Sequence, residues 1–180
     1  MNTNNGDESP EKLISQLSDG ELITGAFEKL VNLGDAAVPA LAQAVVKPHS
    51  DKELLYSVLS LIETDTANAV LTKELYRLKD KNEQALLALM LAKDDRTEII
   101  PWLKEQLPST WENGQWWRKE GNADSEFTAS ILAALVYLMP DSPYWQWLEE
   151  SLESGDKRKQ VAAEFVYDLL NEVDYDEEEN

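Results

Sequence analysis

A chain of 180 residues, 43% of them apolar, can bury a real core as one domain or one short run of repeats. Its 35 acidic side chains against 16 basic ones leave a formal net charge of -19, which repels phosphate backbones and anionic lipid heads; direct binding to nucleic acid or to a membrane is not expected. No apolar run approaches the roughly 18 residues of a membrane span and MNTNNGDESP lacks the basic and apolar regions of a signal peptide, so a cytoplasmic protein is expected; the absence of cysteine excludes disulfides and thiolate metal sites and is compatible with any compartment.

The pattern predicts helices along almost the whole chain. Residues 1–8 are polar, without an apolar anchor, and are expected to be disordered. Ser9-Pro10-Glu11 opens the first helix, with Ser as N-cap and Pro in the first turn, where its missing N–H costs nothing. A helix at 20–33 is followed by one at 35–46, and Leu33-Gly34-Asp35 separates them, Gly supplying a left-handed turn and Asp the N-cap oxygen. Further pairs are predicted at 51–63 with 66–79, 81–93 with 96–107 and 124–139 with 142–153, then a last helix at about 157–172. Ser50 with Glu53, and Asp80 with Glu83, have capping-box spacing. No segment sustains period-two alternation, so the predicted class is all-α, with a single helical domain over 9–172 and an acidic tail over 173–180.

The second helices of the pairs share a register. Leu41, Leu71, Leu103 and Leu148 take one anchor position, and Val45, Leu75, Leu107 and Leu152 follow four residues later on the same face. Pro39 and Pro101 each precede their anchor by two residues, where a proline bends or tightens a helix start. The copies LGDAAVPALAQAV, ETDTANAVLTKEL, DDRTEIIPWLKEQL and MPDSPYWQWLEESL carry this pattern at roughly 30-residue spacing, the mark of a stacked helical solenoid. The stretch LGDAAVPALAQAV, with KRKQVAAEFVYDLL as a first helix, resembles the short bacterial type of HEAT-like repeat. The resemblance covers roughly residues 20 to 172 and implies an α-α superhelix of about four helix pairs plus a terminal helix, the second helices lining a concave face. It does not imply one function, since that scaffold serves adaptors, inhibitors and enzymes.

Anchor spacing runs 30, 32, then 45, so the third interval holds an insertion, PSTWENGQWWRKEGNA at 108–123, too polar and too rich in Gly and Asn to continue a helix. Long loops inside compact solenoids are uncommon and often functional. Trp111, Trp116 and Trp117 lie there beside Glu112 and Arg118, residue types that carry binding hot spots. Two readings stand: the rings meet a partner, or they fold back and plug a gap between mismatched repeats. Trp145 and Trp147 read as core and rim of the last pair. The triplets between the anchors, 42–44, 72–74, 104–106 and 149–151, are expected to face the concave surface and grow more acidic toward the C-terminus, placing Glu74, Glu105, Glu149 and Glu150 there. Such a face suits a basic partner, whose association it would steer; an ordinary solvated helix surface is the alternative.

Catalytic material is scarce. His49, the only histidine, sits in the loop KPHSD with no second imidazole or cysteine for a metal site or dyad, and there is no glycine-rich phosphate loop. The tail EVDYDEEEN lacks the glycine and spacing of an EF-hand loop, so it is a loose electrostatic lure or a tail without a role. No catalytic residue, metal or cofactor is expected. The expectation is a non-enzymatic protein-binding module, in its specific form an acidic immunity-type inhibitor covering the basic cleft of a partner such as a toxin nuclease. Two alternatives stay open: a bilin lyase or chromophore-handling protein, because phycobilin lyases resemble this repeat type, and an assembly adaptor or chaperone.

Overall fold

The computed structural model describes residues 8–47, 51–118 and 122–174. Among the described residues there are ten α-helices and no strand, so the fold is all-α. By packing, the chain separates into two compact units, Met1–Arg77 and Leu78–Asn180, where the sequence reading took residues 9–172 together. His49, Ser50 and the acidic run 175–180 lie outside the described residues.

The first unit holds α1 (Pro10–Gln16), α2 (Ile23–Leu33), α3 (Val38–Val45), α4 (Lys52–Ile62) and α5 (Asp65–Arg77). Helix α1 lies on α2 and α3, α4 packs against α2, α3 and α5, and α3 touches α5. Leu13, Leu30, Leu41, Leu59, Leu71 and Leu75 are fully buried between them. The Ser9 hydroxyl accepts from the Lys12 N–H at 3.4 Å, the predicted cap. Gly34 takes φ +56°, so the turn does need a residue without a Cβ, but Asp35 does not cap α3. Asp35 sits in a 3-10 turn at Gly34–Ala36, and its carboxylate accepts from the Thr64 hydroxyl at 2.6 Å. Thr64 in turn accepts from the Ala67 N–H at 3.3 Å, so the turns that open α3 and α5 are hydrogen-bonded to each other. Asp51 caps α4, accepting from the Leu54 N–H at 3.3 Å.

Glu8 falls in the segment expected to be disordered, yet its carboxylate takes Lys12 at 2.8 Å and Lys29 at 2.7 Å, fastening the start of α1 to α2. Hydrogen bonds from Lys12 first, then Lys29, pull its carboxyl down from 4.5 to about 2. A depressed carboxyl pKa gives stability that is present above the unfolded value and lost as pH falls toward the folded one. Hydrogen-exchange protection of the residue 13–16 amides is therefore expected to fall as pH drops from about 4.5 toward 2, and a Glu8→Gln chain to show lower protection that changes less over that window. Identical titrations of the two chains would show that the clip does not hold α1.

The second unit holds α6 (Lys81–Lys93), α7 (Ile100–Gln106), α8 (Ala123–Leu138), α9 (Pro143–Leu152) and α10 (Lys157–Asp174). Helix α8 is its axis: α6, α7, α9 and α10 all pack on it, and Phe127 to Val136 are buried on every side. A helix apolar all round belongs in a core, and its buried Thr128 and Ser130 hydroxyls donate back to the carbonyls of Asp124 and Glu126, both at 2.9 Å. Asp80 caps α6 by accepting from the N–H groups of Asn82 and Glu83, both at 3.0 Å. The end of α6 is closed by Asp95 at φ +54°, with Arg96 N–H donating to Leu91 O and Asp95 N–H to Ala92 O, so this acid shapes a C-terminus and does not start the next helix. Pro39 and Pro101 both stand in the first turn of their helices, each behind a 3-10 turn, the tightening that their shared register predicts. The anchor leucines 41, 71, 103 and 148 are all buried.

Candidate functional site

The insertion is a folded object over residues 108–118. From Pro108 the chain makes a 3-10 turn at Trp111–Asn113, reverses at Gly114 with φ +66°, and re-enters α8 at Asn122. Its turns are bonded within themselves: Trp111 N–H to Pro108 O, Gly114 N–H to Trp111 O and Trp117 N–H to Gly114 O. Ser125, fully buried at the start of α8, closes the loop by donating from its hydroxyl to Trp116 O at 3.1 Å and accepting from Arg118 N–H at 3.2 Å. Sequence reasoning had no signal for that serine. Gly114 lies against α10, and a Cβ there would meet Lys159 Cα at 3.1 Å, so both conformation and space require glycine.

The tryptophans pack on one another. Ring centroids run Tyr144 to Trp111 at 4.9 Å, Trp111 to Trp147 at 5.9 Å, Trp147 to Trp116 at 6.3 Å, Trp116 to Trp117 at 6.0 Å and Trp117 to Phe165 at 4.8 Å. These distances fall within the range of favourable aromatic pairs. The indole N–H of Trp147 donates to Glu112 O and that of Trp116 to Trp111 O, both at 2.8 Å. Trp117 is 6% exposed and Trp147 5% exposed, inside a core formed with α8 and α10, while Trp111 and Trp116 are half-buried against it. The expectation that Trp117 offers its ring to a partner is corrected: the ring faces Phe165, and the loop plugs the unit. Burial also raises the Tyr144 hydroxyl above its ordinary pKa.

The acidic residues separate in the same way. Glu74 is not on a surface: it is 3% exposed and holds Arg77 through both carboxylate oxygens, at 2.7 and 2.5 Å. The third position points inward in three of the four triplets, where Ala44, Glu74 and Ser151 are buried, while Gln106 is half-buried. The geometry explains this: residues three and four after an anchor share its helical face. Glu105, Glu112, Glu149 and Glu150 are exposed, as is Arg118. Among the described residues, none of these four acids makes an ion pair. Trp145, read from sequence as part of the last pair's core or rim, is the tryptophan on the surface, at 36% exposure.

No protein-family model matches this chain, and neither a curated protein nor a solved structure is significantly similar to it. Among the described residues, no three His, Cys, Asp or Glu side chains converge as metal ligands, and no helix is long and apolar enough to cross a membrane. The geometry therefore offers surface chemistry: unpaired carboxylates and an exposed indole on a well-packed helical unit.

Proposed function

We propose that this chain is a non-enzymatic protein-binding module, an acidic inhibitor of the immunity type that covers a basic protein partner such as a toxin nuclease. The observation that carries the reading is the set of exposed carboxylates at Glu105, Glu112, Glu149 and Glu150, without an ion pair among the described residues in a chain of net charge -19. Unpaired acids are of little use to stability, and at a binding face they steer a basic partner and raise its association rate. The partner-facing surface of the reading is accordingly acidic, with the buried Trp117 and Glu74 outside it.

In this reading α2 to α9 are four HEAT-like pairs of an α-α superhelix and α10 is the terminal helix. Supporting it are the next-but-one contacts α2 to α4, α3 to α5, α6 to α8 and α8 to α10. The Asp35 to Thr64 hydrogen bond between corresponding turns supports it as well. The test is capture on the tagged chain from its native lysate, washed at about 50 and then about 500 mM salt. One basic protein that loosens at high salt is expected, since a Debye length near 10 Å at 0.1 M shortens to a few ångströms as salt rises. With that protein, Glu149→Lys combined with Glu150→Lys is expected to lower the association rate about tenfold and to change dissociation much less. Unchanged kinetics would remove α9 from the interface.

A further inference from the structure

We propose that the outer face of α9 is the docking surface for an arginine-bearing helix of the partner, with Trp145 as its anchor. The inference rests on the reading of the chain as a binder of a basic protein and names the chemistry of the contact. On α9 the core takes Trp147, Leu148 and Ser151, leaving Trp145, Glu149 and Glu153 in one stripe at i, i+4 and i+8, with Gln146 and Glu150 beside it. Trp145 stands at 36% exposure and Glu149 and Glu153 are exposed, while Trp147 and Leu148 enter the core formed with α8 and α10. Glu149, Glu150 and Glu153 make no ion pair among the described residues, and no base stands in the last turn of α9, so the acids sit at the helix end whose dipole they oppose. A helix kept in that state is completed by external cations.

The exposed indole decides which cation. Successive i, i+4 side chains stand about 5–6 Å apart. A guanidinium lying flat on the Trp145 ring is thus within reach of the Glu149 carboxylate, and a second cation one turn further on meets Glu153. Arginine fits this pair of contacts better than lysine: its plane stacks on an aromatic face while its edge forks to a carboxylate. Two cations one helical turn apart describe a helix with arginines at i and i+4. A second copy of the chain is a poorer occupant. Its run of three bases, Lys157 to Lys159, lies in the first turn of α10 with Lys159 half-buried, and two chains of net charge -19 repel.

The test uses the full chain and two alanine-based helical peptides, one with arginine at i and i+4 and one with lysine, titrated at low salt. The arginine peptide is expected to bind at least about threefold tighter. Trp145→Ala is expected to weaken it about 5- to 10-fold and to erase the preference over lysine. Glu149→Gln with Glu153→Gln is expected to weaken both peptides. All these side chains are exposed, and unchanged far-UV circular dichroism checks that the variants fold. If the chain binds both peptides but the variants bind as well as the parent, the α9 face is wrong and the basic-partner reading stands. If it binds neither, both fall. Concentration-dependent self-association abolished by Glu149→Gln with Glu153→Gln would make a second copy the occupant and overturn the proposal.

Discussion

A Trp117→Ala chain is expected to lose about 3–5 kcal/mol of stability, the range for truncating a large buried aromatic. That is a large part of the roughly 5–15 kcal/mol that holds a domain folded. The ring is 6% exposed, stacked on Phe165 at 4.8 Å and set edge-on to Trp116 at 6.0 Å, so its removal opens a void where α10 meets the loop. Neighbouring rings are pinned by backbone carbonyls and by the Gly114 turn, and they have little freedom to collapse into the space. Urea unfolding followed by circular dichroism measures the loss, and Trp117→Phe is expected to recover more than half of it. A midpoint unchanged by Trp117→Ala would mean that the loop does not plug the unit, and would return this ring to the list of partner contacts.

The second large effect is expected from Arg77→Ala, at about 2–3 kcal/mol. Its guanidinium donates from Nε and a terminal nitrogen to the two oxygens of Glu74, and without it a carboxyl group that is 3% exposed loses its best donors. Removing one partner of such a pair costs more than the pair itself contributes, because desolvation of the remaining charge is no longer offset. Arg77 is half exposed, which puts the estimate below the full buried-pair range. Glu74→Met in the Arg77→Ala background is expected to restore most of the stability, since a well-packed apolar side chain can replace a buried pair at little cost. Chemical denaturation of the parent, the single and the double variant decides it. A single variant as stable as the parent would mean that water or another group satisfies Glu74.

Most of the helices were legible because their signals are local. Ser9-Pro10 and Asp80 each act within three residues, and the structure uses both as caps. The leucine anchors were legible for the same reason, since a face repeats every three to four residues whatever lies opposite. Asp35 was misread because its partner Thr64 is 29 residues away, and no local pattern distinguishes a capping carboxylate from one that reaches across to another turn. Glu74 looked like its exposed counterparts in the triplets, but it stands at position three, which turns inward in three of the four triplets, and there it is held by Arg77. The tryptophan loop was visible as an insertion, and its composition fits a hot spot and a plug equally well; only the ring-to-ring geometry separates the two. Trp145 went unselected although its i, i+4 relation to Glu149 stands in the sequence, because burial and exposure alternate along α9 in a phase set by the neighbours of α9, not by its own residues.

All six indoles of the chain lie between residues 102 and 147, within the second unit, and the first unit absorbs in the near ultraviolet chiefly through Tyr56 and Tyr76. With indole centroids 5.9–6.3 Å apart, the tilted and edge-on rings of the second unit share their electronic excitations, so its packing is written into a coupled ellipticity band that separated indoles would not produce. The molecule thereby carries an optical label on one unit only. Emission excited at the red edge of the indole band reports the melting of that unit, while the helical signal near 222 nm sums over both, and the gap between the two curves reads out whether they unfold as one.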